Sequence, residues 1–225
     1  MHTELTKRRG RPPKANEIKP DAIIRAALKS FAMHGFEGAS LRRIATTANV
    51  DVALISHRHG TKLELWKAVV DDIADKFVVQ LSRPLEPFDA ANQTSVQRLL
   101  LAVDQMIDFS AESPEISMFV IKEVAQQDER FLYVYERLIR PAQEILLPIV
   151  EHAIADGFLK NVDPQLFFYN VSGAIALTVS LRSFVGQFGR EAFSSENFSS
   201  SMKSLWRVLL QQESERPAVS QAVTV

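Results

Sequence analysis

The stretch Ser40-Leu41-Arg42-Arg43-Ile44-Ala45-Thr46-Thr47-Ala48-Asn49-Val50-Asp51-Val52-Ala53-Leu54-Ile55-Ser56-His57-Arg58-His59-Gly60-Thr61-Lys62 decides how this chain folds at its front. Ser40 can cap a short helix whose apolar residues, Leu41, Ile44, Ala45 and Ala48, recur at helical spacing. Asn49-Val50-Asp51 interrupts it. Asparagine tolerates the left-handed backbone of a tight turn, and Asp51 can cap the next helix, which ends near Gly60. Thr61-Lys62-Leu63-Glu64 is a capping box, a hydroxyl three residues before an acid, and opens a long helix. Leu41, Ile44, Ala45, Val50 and Ile55 form the inner face of the two short helices, leaving Val52, Ala53, Ser56 and His57 on the outer face of the second. This is a helix-turn-helix pattern, in which one helix crosses the DNA backbone and the next enters the major groove. A plain helical hairpin inside a bundle carries the same local signals, so a second observation has to choose.

Charge supplies it. The net charge of −1 over 225 residues hides an asymmetry: residues 1–62 hold 12 lysines and arginines against 5 acids, and the remainder holds 14 against 22. A basic front and an acidic body indicate that the front meets a polyanion. Residues 1–18 have no apolar period and carry a dense basic core, Lys7-Arg8-Arg9-Gly10-Arg11-Pro12-Pro13-Lys14. They are expected to form a flexible arm.

Outward from the quoted stretch the pattern is helical throughout. A first helix opens at Pro20-Asp21, carries Ile23, Ile24, Ala27, Leu28, Phe31 and Ala32, and meets Gly35 as its end. The long helix from Thr61 places Leu65, Trp66, Val69, Val70, Ile73, Phe77 and Leu81 at three-and-four spacing to about residue 82. A linker with Pro84 and Pro87 follows. Thr94-Ser95-Val96-Gln97 is a second capping box, opening a helix to about 111. Ser113-Pro114 and Asp163-Pro164 each set a cap residue before a proline suited to a first helical turn. These start helices at 114–127 and near 163. Asp156-Gly157 closes a segment from about 129, inside which Pro141 and Pro148 should kink or divide the helix. A last helix spans roughly 195–212. No segment alternates with a period of two, so the expected fold is all-α. The expected organisation is a basic arm at 1–18, a helix-turn-helix domain at 19–64, a helical body at 65–212 and a loose tail at 213–225.

The segment from Ile23 to Val70, through Phe31-Ala32, Gly35-Phe36, Ser40 to Ala45, Ala48-Asn49-Val50 and Gly60-Thr61-Lys62, resembles the TetR family of bacterial transcriptional repressors. The phrase Asp51-Val52-Ala53-Leu54-Ile55 is similar to a common form of that family's recognition helix. The resemblance implies that Ser40 and Lys62 hold phosphates and that Arg42, with Arg43 beside it, reaches the DNA from the second helix. It implies that Val52, Ala53, Ser56 and His57 face the groove. Asn49 stands where the family usually has glycine, and His57-Arg58-His59 replaces an aromatic-rich helix end. His59 falls where an apolar ring normally anchors that helix. In the arm, Arg9-Gly10-Arg11-Pro12 resembles an AT-hook core, whose arginines lie along a narrow A·T minor groove of enhanced negative potential.

The resemblance also places an effector pocket and a dimer interface in the acidic body, with homodimerisation through the two C-terminal helices. Candidate pocket residues are the polar groups amid apolar surroundings: Asp104, Asp108, Lys122, Glu123, Arg137, Arg140, Gln143, His152, Tyr169 and Asn170. Irregular space beside the two prolines is a natural ligand site. The apolar content of the last helices exceeds one buried stripe, but sequence does not apportion it between core and interface.

The exclusions are as useful. No run of about eighteen uncharged apolar residues offers a membrane span, and no apolar leader follows the basic start, which points to the cytoplasm. Zero cysteines remove disulfides, thiol chemistry and thiolate metal sites, and eight glycines leave no glycine-rich phosphate loop. His57-x-His59 lacks further ligands at suitable spacing, so no metal is expected. No catalytic constellation and no cofactor motif is present, so an enzyme is not expected. The expected function is a homodimeric repressor that binds double-stranded DNA at a palindromic operator and is released by a small organic effector. An architectural protein of A·T-rich DNA, or a ligand-binding bundle with an incidental helix-turn-helix, remain the alternatives.

Overall fold

The computed structural model describes residues 21–82, 93–126, 128–188, 193 and 197–215. They form helices α1 (Asp21–Gly38), α2 (Leu41–Ala48), α3 (Val52–His59), α4 (Lys62–Ser82), α5 (Ser95–Glu112) and α6 (Pro114–Val124). Then follow α7 (Glu129–Val134), a π-turn (Tyr135–Ile139), α8 (Arg140–Ala155), α9 (Pro164–Gly186) and α10 (Phe198–Glu215). No strand occurs among the described residues. None of the described helices is long and apolar enough to cross a membrane.

Most element ends obey their local signals. Gly35 leaves helical geometry at φ 68°, ψ 177°, so α1 turns there before its last residues. Thr94 and Gln97 close both bonds of their capping box, and the Asp163 side chain accepts from the Leu166 amide at 2.7 Å. Ser113 differs: helix α6 starts at Pro114 as expected, but the Ser113 side chain makes no cap bond. Helix α6 also ends at Val124, short of the expected 127.

The two internal prolines behave differently. Before Pro141 the chain widens into the π-turn, where the Arg140 amide bonds the Tyr135 carbonyl five residues back. Proline has no N–H to return to the preceding turn and its ring crowds that turn, so the wider coil relieves both problems. Pro148 does not divide α8, which runs on through it to Ala155.

Two cores organise these helices. The second half of the chain closes around Leu99, Ile107, Leu146, Ile149, Phe168, Ile175 and Leu81. The other core takes Ile23, Ala27, Phe31, Ile44, Ala45, Ile55, Leu65, Trp66, Val69 and Ile73 from α1 to α4, together with Phe119 of α6, Val134 and Leu138. Trp66 is fully buried, with Phe36, Phe119 and Tyr133 rings 5.8–6.4 Å away. Full burial of an aromatic or branched side chain is worth about 1.5–3 kcal/mol. A boundary drawn at residue 64 therefore falls inside one continuous core, and α4 runs from this core into the other.

Candidate nucleic-acid interface and apolar cavity

The front unit is built from short-range bonds. Ser40 Oγ accepts from the Arg43 amide at 3.3 Å at the start of α2. Asn49 adopts φ 54°, ψ 49°, and its amide returns to the end of α2. Asp51 Oδ1 accepts from the Ala53 amide at 2.7 Å and starts α3. Gly60 ends α3 at φ 71°, after which Thr61 and Glu64 exchange bonds of 2.6 and 3.2 Å to start α4. Ile44, Ala45 and Ile55 are buried, while Leu41 and Val50 are partly buried against the same core.

This leaves Ser40, Arg42, Arg43, Ala53, Ser56 and His57 exposed, with Arg58 exposed beside them. Val52 is partly buried against the core, more inward than the outer face expected for it. No acid sits in the first turn of α2, so its positive dipole end stays open to an anion. Lys62 is not a free cation: its ammonium donates to the Phe36 and Ala39 carbonyls at 2.9 and 3.4 Å and lies 4.4 Å from the Phe36 ring centre. His59 is half-buried, and this desolvation, with the neighbouring Arg58 charge, pushes its pKa below the ordinary value. Arg9 and Arg11 lie outside the described residues.

A cavity of about 490 Å³ opens between α5, α6, α7, the π-turn, α8 and α9. Its walls include Phe77, Met106, Phe109, Val120, Ile121, Val124, Phe131, Leu138, Ile139, Phe168, Ile175 and Ala176. Polarity enters through Ser110, Ser117, Ser172, Tyr135 and Tyr169, and among the described residues no acid, lysine, arginine or histidine lines it. Three of its wall residues belong to the π-turn before Pro141, so the irregularity read from that proline does border the space.

The polar candidates mostly do not. Of the ten, Tyr169 alone lines the cavity, and its hydroxyl accepts from the buried Gln143 amide at 3.1 Å. The others are partnered elsewhere. Asp104 pairs with Arg207, and Asp108 accepts from Ser199 and Lys203 at 2.7 and 2.6 Å, tying α5 to α10. Burial pushes the Asp104 carboxyl up, opposed by Arg207 and Lys203. Glu123 is 2% exposed and pairs with Arg130 at 3.2 Å; burial raises its pKa against the pull of Arg130. Lys122 donates to two carbonyls of α1. Arg137 holds Asp71 at 2.7 Å, and Arg140 pairs with Glu136 one turn back. His152 and Asn170 bond carbonyls four residues back, Pro148 at 2.6 Å and Leu166 at 2.9 Å. Charged side chains among apolar residues found each other, and the cavity took the apolar remainder. The wall residues themselves carry a helical pattern that any core helix shares, so no sequence signal separates them.

On α9, Phe168, Val171, Ile175 and Val179 are buried, while Leu166, Tyr169, Leu177, Leu181 and Phe184 form an exposed stripe that Phe188 extends just past the helix end. Leu205, Val208 and Leu209 of α10 are exposed as well.

The family described as bacterial regulatory proteins, tetR family, matches residues 23–69. The HTH-type transcriptional repressor SCO4008 of Streptomyces coelicolor is 30% identical over 106 residues, covering 47% of this chain and 48% of that protein. The HTH-type transcriptional regulatory protein RaaS of Mycobacterium tuberculosis is 27% identical over 124 residues, 55% of this chain and 53% of that protein. The chain thus spans about half the length of the curated relatives it matches. Among solved structures, the fatty acid degradation regulator FadR from Bacillus halodurans aligns with a TM-score of 0.65 at 18% identity, over 85% of this chain and 98% of that one. FadR from Bacillus subtilis, solved with stearoyl-CoA, aligns at 0.64 and 20% identity, over 87% and 99%. At these identities the likeness is one of fold.

Proposed function

We propose that this chain, a tetR-family transcriptional regulator by its match at residues 23–69 and its likeness to curated HTH-type regulators, is a homodimeric repressor released by an uncharged, largely apolar effector. Ser40, Arg42 and Arg43 meet phosphates from α2, and Ala53, Ser56 and His57 meet the major groove from α3, with Val52 packed behind them. Lys62 acts there by holding the end of α1 that carries α2, with any phosphate contact secondary. Arg9 and Arg11 add minor-groove contacts at flanking A·T tracts. The exposed stripe of α9 and the apolar residues of α10 pair with a second copy. Two-fold symmetry then requires a near-palindromic operator.

The observation that carries the reading is the continuity of the core around Trp66 and Phe119. Helix α6 packs with α1 and α4 through Phe119, and the same helix walls the cavity. A ligand there cannot alter α6 without bearing on the helix-turn-helix. The wall's described residues include none charged at neutral pH, which supports an uncharged ligand, because a buried charge without a partner is costly. A long acyl chain, as carried by the stearoyl-CoA of the Bacillus subtilis FadR complex, satisfies the wall, although its charged head would have to stay outside.

The test is selection of a binding sequence from random duplexes, followed by titration at several salt concentrations. A near-palindrome is expected. Arg42→Ala should weaken binding and flatten the salt dependence, since each lost phosphate contact removes roughly 0.9 from the log–log slope. Removal of residues 1–14 should cost more affinity when A·T tracts flank the site. Binding with no sequence preference would favour the architectural reading instead.

A further inference from the structure

Helix α1 uses cations it does not carry. It has no basic residue in its last turn, and the chain leaves helical geometry at Gly35. The carbonyls just before such a break are those a helix end leaves short of amide partners. Two ammonium groups from elsewhere meet carbonyls on the two sides of the break, Lys122 before it and Lys62 after it. Lys62, at the start of α4, serves Phe36 and Ala39. Lys122, on α6, donates to the Ala32 carbonyl at 2.5 Å and the Met33 carbonyl at 2.9 Å. A lysine so placed fills carbonyl lone pairs and complements the negative end of the helix dipole.

The two lysines differ in what lies behind them. Lys62 belongs to the front unit itself. Lys122 reaches across from the body, and its neighbours Val120, Ile121 and Val124 line the cavity. The adjoining Glu123 holds Arg130, whose guanidinium sits 4.4 Å from the Phe36 ring centre at the end of α1. Helix α6 therefore grips the end of α1 on one side and walls the cavity on the other. Ser40, the cap of α2, follows α1 after one intervening residue.

We infer that Lys122 is the positioning residue through which cavity occupancy reaches the DNA-binding unit. This rests on the reading above that the cavity takes an effector. A hydrogen bond of 2.5–2.9 Å is lost once its atoms part beyond about 3.5 Å, so a shift of α6 by roughly 1 Å breaks the grip. The carbonyls before the break then lose their cation, and the hold on α2 loosens with them. Because the grip opposes the ligand, linkage requires the ligand to bind more tightly when the grip is gone.

The test uses the full chain and N-phenyl-1-naphthylamine, an uncharged apolar fluorophore that brightens in apolar surroundings. Saturating probe should speed amide exchange across residues 30–38 several-fold and weaken binding to the selected duplex by about 5- to 150-fold, the usual range of coupling. In Lys122→Met, exchange at 30–38 should already be fast and should change less than about twofold with probe. That variant should also bind the probe more tightly than the parent, which mere loss of packing would not produce. Lys122→Arg should restore the parent response. Glu115→Gln, which removes the exposed Lys29–Glu115 pair between the same two helices, should leave it untouched. Unchanged exchange at 30–38 in the probe-saturated parent overturns the assignment, as does a Lys122→Met protein that responds like the parent. The parent measurement decides the matter even if Lys122→Met does not fold. A probe that speeds exchange yet leaves DNA affinity unchanged sinks the repressor reading and leaves the Lys122 assignment standing. A probe that does not bind overturns the cavity reading and this assignment together.

Discussion

Helices α2 and α3 and helices α9 and α10 solve opposite problems. In the front pair, Leu41, Ile44, Ala45, Val52 and Ile55 turn inward or rest against the core, and the outer surface includes Arg42, Arg43, Ser56, His57 and Arg58. In α9, one side is buried through Phe168, Val171, Ile175 and Val179, yet the other presents Leu166, Leu177, Leu181 and Phe184 to the outside. A helix polar on its outer face is finished at the water boundary; one that is apolar all round needs cover on both sides. The front is complete within one chain once α6 braces it. The rear leaves an apolar face uncovered, the one proposed above to meet a second copy.

The largest effect should come from charging that rear face. Phe184→Glu with Leu209→Glu acts twice in a symmetric pair, and losing burial worth about 1.5–3 kcal/mol per side chain costs roughly 6 kcal/mol or more of association. Sedimentation equilibrium should find monomers with parent helix content. A dimer of unchanged strength would place the interface elsewhere and break the contrast between the two regions.

Next in size is Trp66→Ala, which empties the centre of the front core and should cost about 3–5 kcal/mol in urea unfolding. If the front were an independent unit, the transition would split in two. The shared core with Phe119, Val134 and Leu138 predicts a single shifted transition instead.

Smaller effects belong to the turn. Asn49→Val forces a branched side chain into the left-handed region, at about 1–2 kcal/mol, whereas Asn49→Gly should be neutral or better. Asp51→Ala removes the α3 cap for about 1 kcal/mol. Each should weaken DNA binding in proportion to the lost head stability, and dimerisation should not change. A dimerisation defect in either variant would contradict the separation of front and rear.

The smallest effect is titration of His59. Its folded pKa lies below its ordinary value of 6.5, so the unfolded chain takes up a proton first as pH falls. Stability is full above pH 6.5 and declines as pH drops from there toward the folded pKa. Thermal unfolding between pH 7.5 and 5 should show a decline that His59→Gln lessens. Identical pH profiles for parent and variant would show that the half-buried ring carries no net desolvation cost.

Much of the front was legible because its determinants are local. Ser40 with Arg43, Asn49 in its left-handed turn, Asp51 with Ala53 and Thr61 with Glu64 are bonds within three residues of one another, and each forms where its residues stand. The same holds for Thr94 with Gln97 and Asp163 with Leu166. The π-turn before Pro141 was half legible: a proline announces trouble for the preceding turn, but not whether the helix breaks, kinks or widens.

What sequence by itself determined was therefore the all-helical course of the described residues, the helix-turn-helix and its polar outer surface, because spacing and capping chemistry act over a few residues. Only tertiary structure decided which charges stayed free. Lys122 meets Met33 across 89 positions and Asp104 meets Arg207 across 103, and no local pattern encodes such pairings. Tertiary structure also decided where the cavity lies and which apolar side of α9 is left uncovered. A cavity is the space that several helices fail to fill together, and the free side of an apolar helix is whichever its own chain does not reach.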